Sequence, residues 1–393
     1  SRPAGGDTAA PTRLHVAVVH LAYDPRADAR GLLRLYPTLT RFCASLAELP
    51  GVRVTGLVRF QNDEEFPEDG VAWRFCADGR GGPDVGLRTR IPRLAAILKV
   101  LAPDIVHVNG FLFPAQLAEL MLRTRRRPVF VVQHHAGGPD PGRRGFVQRL
   151  VTPLADGFLF TASGLAEVWR RRGVLGTKPV FEVVEGSSDF APLDRLEART
   201  ATGIEGSPAV LWVGRLHPRK DPMTALEGFR RALPQLPEAT LTMAFGQAPL
   251  LPDVERFLGS TLEVAGRVRL IGRIAHDELP KWYSGADLFL TSSPDEGSNY
   301  ALIEAMACGL LPVASDIPPH RLLTDGDMNG ELFPPGDVEA CAAGLVRAAR
   351  RSGPAARESV RRRFEEIASW PAIARQAEAA YTALLARRRR LTA

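Results

Sequence analysis

Apolar residues in this chain gather in short continuous runs, separated by longer stretches in which they recur at helical spacing. The first runs cover 15–21, 52–60, 105–108, 129–133, 157–161 and 180–184, with a helix over 37–48. A second series covers 209–213, 240–245, 268–271, 287–291 and 311–314. A strand with one buried face would alternate, so continuous runs joined by helices predict parallel sheets covered on both faces. The polar, weakly patterned 189–207 reads as a linker between two such units. The expected architecture is therefore α/β: two Rossmann-like, doubly wound domains facing a central cleft, with ligands at the carboxyl ends of the strands. The expected boundaries are a flexible lead-in over 1–13, a first domain over 14–190, a second over 205–369, and a closing segment over 370–393. That last segment opens as an amphipathic helix over 370–385 and carries the basic residues Arg387 to Arg390.

Composition narrows the class. With 393 residues, 45% hydrophobic and 24% charged, the chain has the length for two ordinary cores, and no run approaches the ~20 apolar residues that span a bilayer. The lead-in lacks an apolar secretion core. Cys43, Cys76, Cys308 and Cys341 have no paired spacing of the kind that marks zinc or redox motifs. A reducing, cytoplasmic setting suits them. The net charge of +6 is unevenly held: residues 1–190 carry 25 Lys and Arg against 19 Asp and Glu, and the remainder carries 25 of each. Clusters at Arg88/Arg90/Arg93, Arg123/Arg125/Arg126/Arg127, Arg143/Arg144 and Arg170/Arg171/Arg172 suit an anionic acceptor or a peripheral contact with the inner face of a membrane. Solvated helix ends are the plainer alternative. No nucleic-acid motif accompanies the arginines.

The densest chemistry lies in 294–309. Ser298 or Asn299 can N-cap a helix over 300–307, and Gly309 supplies a left-handed stop. The helix opening around Gly297, Ser298, Asn299, Tyr300 and Ala301 favours an anion, by ~0.3–1 kcal/mol for the dipole alone at an exposed site. Glu304 lies on the face of that first turn, about 6 Å along the axis, where it can accept hydrogen bonds from a pair of sugar hydroxyls. Glu296 precedes the helix and can serve a second ring. A phosphate flanked by two hydroxyl-rich rings is a nucleotide sugar. Upstream, a strand ends at Gly214, which permits close backbone approach, and Arg215 and Lys220 can converge on a diphosphate. Lys220 is one of only four lysines against 46 arginines.

The run from Asp287 through Glu296, Glu304 and the Ala-Cys-Gly-x-x-Pro-Val-Ala-Ser-Asp that follows resembles the donor-binding segment of family-4 retaining glycosyltransferases. Gly-Arg-Leu with a lysine five residues after the arginine resembles that family's diphosphate-binding loop. The resemblance implies the GT-B fold, with the final helix returning to the N-terminal domain. It also implies that Arg215 and Lys220 neutralise the leaving diphosphate in place of a metal, with Glu296 in the catalytic set. The backbone at Arg273 and Ile274 would meet the nucleobase, and Gly246 would stand at the lip of the donor cleft. No resident cofactor is implied, only the nucleoside diphosphate sugar as co-substrate. Asp325-Gly326-Asp327 spells a pattern that can hold a divalent cation, but its surroundings read as a turn.

The likeness is closer over 205–385 than over 14–190. The family's glycine-rich loop after the first strand is replaced by His20-Leu21-Ala22-Tyr23-Asp24-Pro25-Arg26 with a single later Gly31. Asn109 stands where a second histidine often follows His107, and His135 matches a cleft-facing family histidine. The resemblance therefore implies Asn109, His135 and His107 on the acceptor or sugar side. The resulting expectation is a metal-independent retaining transferase acting on an anionic, lipid-linked or small secondary-metabolite acceptor. A sugar-nucleotide epimerase or phosphorylase on the same fold is the nearest alternative. A non-catalytic basic protein binding membrane or polyanion is the alternative of another class.

Overall fold

The computed structural model describes residues 14–124, 128–135 and 137–392. The lead-in and Arg125, Arg126 and Arg127 lie outside the described residues. Contacts divide the chain into two units, one running through Glu185 and resuming at Ile373, the other Gly186–Ala372.

The first unit is built on strands β1 (Leu14–His20), β2 (Val52–Arg59), β3 (Glu64–Glu68), β4 (Val71–Cys76), β5 (Ile105–Asn109), β6 (Val129–Gln133), β7 (Gly157–Phe160) and β8 (Val180–Glu182). They form one sheet in the order β3-β4-β2-β1-β5-β6-β7-β8. Every pairing is parallel except β3 on β4. The central register sets Val16 between Val54 and Ile105, all three buried, which is why these runs are apolar on both faces. The hairpin β3–β4 escapes the run pattern. β3 is Glu-Glu-Phe-Pro-Glu, the charged, proline-bearing composition an outermost strand tolerates because one of its edges has no partner.

The second unit has β9 (Ala209–Gly214), β10 (Thr240–Phe245), β11 (Val268–Gly272), β12 (Leu288–Thr291), β13 (Leu311–Ser315) and β14 (Glu331–Phe333), all parallel, in the order β11-β10-β9-β12-β13-β14. Strand order runs outward from β9 in one direction and from β12 in the other. The carboxyl ends of these two strands therefore mark the switch point of the sheet, where open α/β sheets bind ligands. In the first unit the same reversal falls between β1 and β5.

Two features differ from the expected organisation. The stretch taken as a linker contains a helix, Arg195–Thr202, with Asp194 as its N-cap and Gly203 as its left-handed stop. Arg199 fastens that helix to the second unit through the carbonyl of Gly285 (2.9 Å) and Asp287 Oδ2 (2.8 Å). These are long-range bonds that hydropathy does not register. The closing helix is also longer than expected, Trp370–Thr392, because its arginines are good helix formers. From Ile373 it belongs to the first unit: the Gln376 amide oxygen accepts from Val184 N–H (3.4 Å), and Leu384 packs over Gly157. Both units have apolar cores, with Trp73, Phe130 and Phe158 buried in one and Trp212, Tyr283 and Phe289 in the other. Each large side chain so buried contributes roughly 1.5–3 kcal/mol.

Candidate active site

In the second unit the residues singled out by sequence meet at the switch point. After β9 the chain passes Gly214 and exposed Arg215, is anchored by buried Leu216, and turns through the 3-10 helix Pro218–Lys220. Asp221 then caps the helix Pro222–Ala232 by accepting from Thr224 N–H (3.2 Å), with φ +42°. After β12 the chain runs through buried Ser292 and Ser293 to Glu296. Ser292 ties the two loops together: its hydroxyl donates to the carbonyls of Lys220 (3.1 Å) and Asp221 (2.6 Å). With both backbones fixed, Lys220 Nζ bonds Glu296 Oε1, and the two side chains are only 19% and 13% exposed. Arg215 is exposed and has no ion-pair partner among the described residues.

The helix Tyr300–Ala307 opens on Asn299, which stands in the left-handed region at φ +59°. Its side-chain oxygen accepts from Leu302 N–H (3.4 Å), and its amide nitrogen donates to Thr291 Oγ1 (3.1 Å) and His320 Nε2 (2.9 Å). His320 Nδ1 donates in turn to the carbonyl of Ser315 (2.8 Å). Burial lowers His320 from 6.5 to about 4, so it stays neutral, with Nε2 as an acceptor at ordinary pH. Sequence reasoning missed His320. The residue lies at the end of a different crossover, and no local pattern links it to Asn299. Gly297 and Ser298 are buried beside the cap, Ala301 is half-buried, and Tyr300 is 42% exposed. The Tyr300 ring lies against Gly186, where a Cβ would fall 2.4 Å from Cε1, so a larger residue there would displace the ring.

Glu304 is 13% exposed and held at both oxygens: Tyr283 Oη donates to Oε2 (2.9 Å), and His276 Nε2 lies 3.0 Å from Oε1. Burial raises its pKa, and the bonds from His276 and Tyr283 oppose that rise. Buried Tyr283 fixes the carboxylate, while His276 is 73% exposed and leaves Oε1 toward solvent. Arg273, exposed, and Ile274, half-buried, follow β11 and lead directly into the turn that carries His276. Gly246 ends β10 in a loop that pairs with the Arg215 loop, where Leu216 N–H donates to Gln247 O (2.9 Å). Asp325 and Asp327 act as turn residues. Asp325 closes the helix Pro318–Thr324 at φ +54°, and Asp327 Oδ1 accepts from Leu332 N–H (2.9 Å). A cavity of about 480 Å³ lined by Arg195, Asp287, Arg350 and Arg357 lies at the opposite, amino edge of this sheet and contains none of these groups.

In the first unit the carboxyl edge gathers His20, Asn109, His135 and Glu185. His135 Nε2 bonds Asn109 Oδ1, and its Nδ1 lies 3.2 Å from a carboxylate oxygen of Glu185. Glu185 is 5% exposed and closes the segment after β8. Its only sequence signal is its place immediately after the apolar run 180–184. His20 ends the central strand with its ring edge-on to Tyr36 at 4.6 Å. Burial, with His135 as a second cause, lowers its pKa to about 4. His107 departs from expectation. It is fully buried, and its Nδ1 lies 2.6 Å from the Tyr381 hydroxyl, so it is a core residue with no route to a sugar. His107 shares a strand face with Asn109 but lies two residues back from the carboxyl end of β5, where the closing helix covers it through Tyr381. Some of the described cluster arginines are held in local ion pairs. Arg90 and Arg123 both bind Glu119, and Arg93 binds Asp63.

Residues 207–351 match the family described as Glycosyl transferases group 1. The sulfoquinovosyl transferase SQD2 of Arabidopsis thaliana is 27% identical over 275 residues, 65% of this chain and 51% of that protein. The D-inositol 3-phosphate glycosyltransferase of Rhodococcus jostii is 31% identical over 189 residues, 46% and 41% respectively. The chain thus spans about half or less of the length of these curated relatives. Among solved structures, sucrose-phosphate synthase from Thermosynechococcus elongatus superposes with TM-score 0.66 at 22% identity, over 95% of this chain and 100% of the other. The Anabaena protein HepE in complex with UDP-glucose superposes with TM-score 0.63 at 15% identity, over 94% and 100%. Residues 207–351 are thus a Glycosyl transferases group 1 domain, and the two parallel-sheet units share the GT-B-like fold of these solved glycosyltransferases.

Proposed function

We propose that the chain transfers a sugar from a nucleoside diphosphate sugar to an acceptor hydroxyl, with retention at the anomeric carbon and without a metal. The observation that carries this reading is the convergence of Lys220, Glu296 and Glu304 on the Asn299-capped helix at the β9/β12 switch point. A diphosphate at the helix opening takes over Lys220 from Glu296 and draws in Arg215, while Glu304 accepts from the ribose hydroxyls in place of His276. Glu296, released, is free to bond a hydroxyl of the transferred sugar. The bond from the anomeric carbon to the phosphate oxygen breaks, and the acceptor oxygen bonds the same face. The acceptor's proton passes to the departing phosphate, so no protein base is needed. What the chain supplies is preorganised charge and alignment. Solved relatives named as complexes with UDP and UDP-glucose make uridine nucleotides the first to assay.

Thermal shift against nucleoside diphosphates tests the site, and product anomer analysis with and without EDTA tests the chemistry. One diphosphate should raise Tm in the unaltered protein but not in Glu304→Ala. Transfer with inversion, or activity abolished by EDTA and restored by a divalent cation, would overturn the finer claims.

A further inference from the structure

One helix of the first unit is amphipathic the wrong way round. Gly142–Val151 forms an α-helix that continues through the 3-10 turn Thr152–Leu154. Its inward face buries Gly145, Gln148 and Thr152, none a large hydrophobe, with Val151 half-buried beside them against the core. Gly145 approaches so closely that a Cβ would lie 1.8 Å from the Asp140 carbonyl oxygen. The Gln148 amide donates to Phe111 O (3.1 Å) and Asp140 Oδ2 (2.9 Å), and its oxygen accepts from Asp140 N–H (3.0 Å). Close approach and hydrogen bonds, together with Val151 against the core, therefore fasten this helix. On its outward face Phe146, Leu150 and Leu154 are 56%, 59% and 54% exposed, in one row at four-residue spacing. Exposed Arg143 and Arg149 flank the row without ion-pair partners among the described residues, and no carboxylate occurs between 141 and 155.

A surface helix ordinarily turns its apolar stripe to the core, and a contiguous apolar row left outside marks an interaction surface. We propose that this face docks on an anionic bilayer. Phe146, Leu150 and Leu154 enter the boundary between headgroups and acyl chains, and Arg143 and Arg149 pair with lipid phosphates, with the helix lying in the membrane plane. Charge selects this occupant. A two-fold contact with a second copy would set the same arginines against one another with no acid to offset them, whereas an anionic surface complements both. The inference goes beyond the donor-site reading and does not depend on it.

Cosedimentation of the full chain with equimolar phosphatidylglycerol/phosphatidylcholine vesicles, compared with phosphatidylcholine alone, tests the proposal. The chain should pellet with the anionic vesicles, and less so as salt rises. Arg143→Glu/Arg149→Glu should weaken the partition by roughly thirtyfold, at ~1 kcal/mol for each basic residue lost. Phe146→Ser/Leu150→Ser/Leu154→Ser should weaken it by about tenfold or more, with a smaller effect on the melting curve because more than half of each side chain is exposed. Lys220→Ala should pellet like the unaltered chain, so a failed donor site and a failed docking face are distinguishable. No pelleting with anionic vesicles, or pelleting indifferent to both multiple variants, would overturn the proposal. So would a dimer in solution that the serine variant dissociates, which would make the face a self-interface.

Discussion

Lys220 and Glu304 are both withdrawn from solvent, and each is held by a neighbour that a substrate can displace: Glu296 for the lysine, His276 for the glutamate. Removing either should therefore affect different kinetic constants. In the proposed reaction, Lys220→Ala deletes a cation that acts most strongly as charge develops on the leaving group. It should lower kcat by about 10²–10³ with a smaller change in KM, the scale of a lost transition-state donor. Glu304→Ala removes the charged acceptor proposed for the ribose and should raise KM for the donor by roughly 10- to 100-fold, at ~1.5–3 kcal/mol. Because burial holds Glu304 above its ordinary 4.5, nucleotide affinity should begin to fall at a higher pH than an exposed carboxylate would give, and Glu304→Gln should abolish that limb of the profile. Calorimetric titration between pH 4.5 and 7.5 checks this. Most of these residues were legible in the sequence because charge, glycine and helix-cap signals crowd into two short segments. Glu185 and His320 were not, since each acts on a partner 21 or more residues away. His107 misled because the helix that covers it, through Tyr381, comes 274 residues later in the chain.

The helix Tyr300–Ala307 depends on one residue at its start. Asn299 supplies the cap, tolerates the left-handed backbone and locks to Thr291 and His320. Asn299→Ala loses all three and should cost about 1–3 kcal/mol, measured as a fall in Tm together with weaker nucleotide binding. Asn299→Gly keeps the backbone freedom and should melt between the two. The helix and its cap were readable beforehand because capping is local. The helix Arg195–Thr202 was not, since its own pattern is weak and Asp287, nearly a hundred residues on, holds it in place. The outward apolar face of Gly142–Leu154 belongs to the same class, for a stripe read from sequence does not say which way it points.

At the scale of the whole molecule, acid sensitivity should be unequal. His20 and His107 in the first unit and His320 in the second are buried neutral, with pKa values of about 4, 3 and 4 against 6.5 in an unfolded chain. Between those limits the unfolded state binds protons that the folded state refuses, so stability is full above pH 6.5 and declines as pH falls toward 4. At pH 5 each such histidine costs roughly 2 kcal/mol. Hydrogen exchange at pH 5 should show β1 and β5 losing protection before β9 and β12, and the reverse order would refute the assignment. The two-sheet architecture itself was plain from the chain because buried parallel strands are continuous apolar runs. The charged edge hairpin and three-residue β14 were not, since neither carries such a run. The closing helix adds a constraint on biosynthesis. Tyr381, Leu384 and Gln376 fill places beside His107, Gly157 and Val184, so the amino-terminal sheet leaves the ribosome with part of its covering still untranslated. That sheet must wait, partly uncovered, through the making of the entire second unit, and a chaperone that shields nascent apolar surface should bind it during that interval.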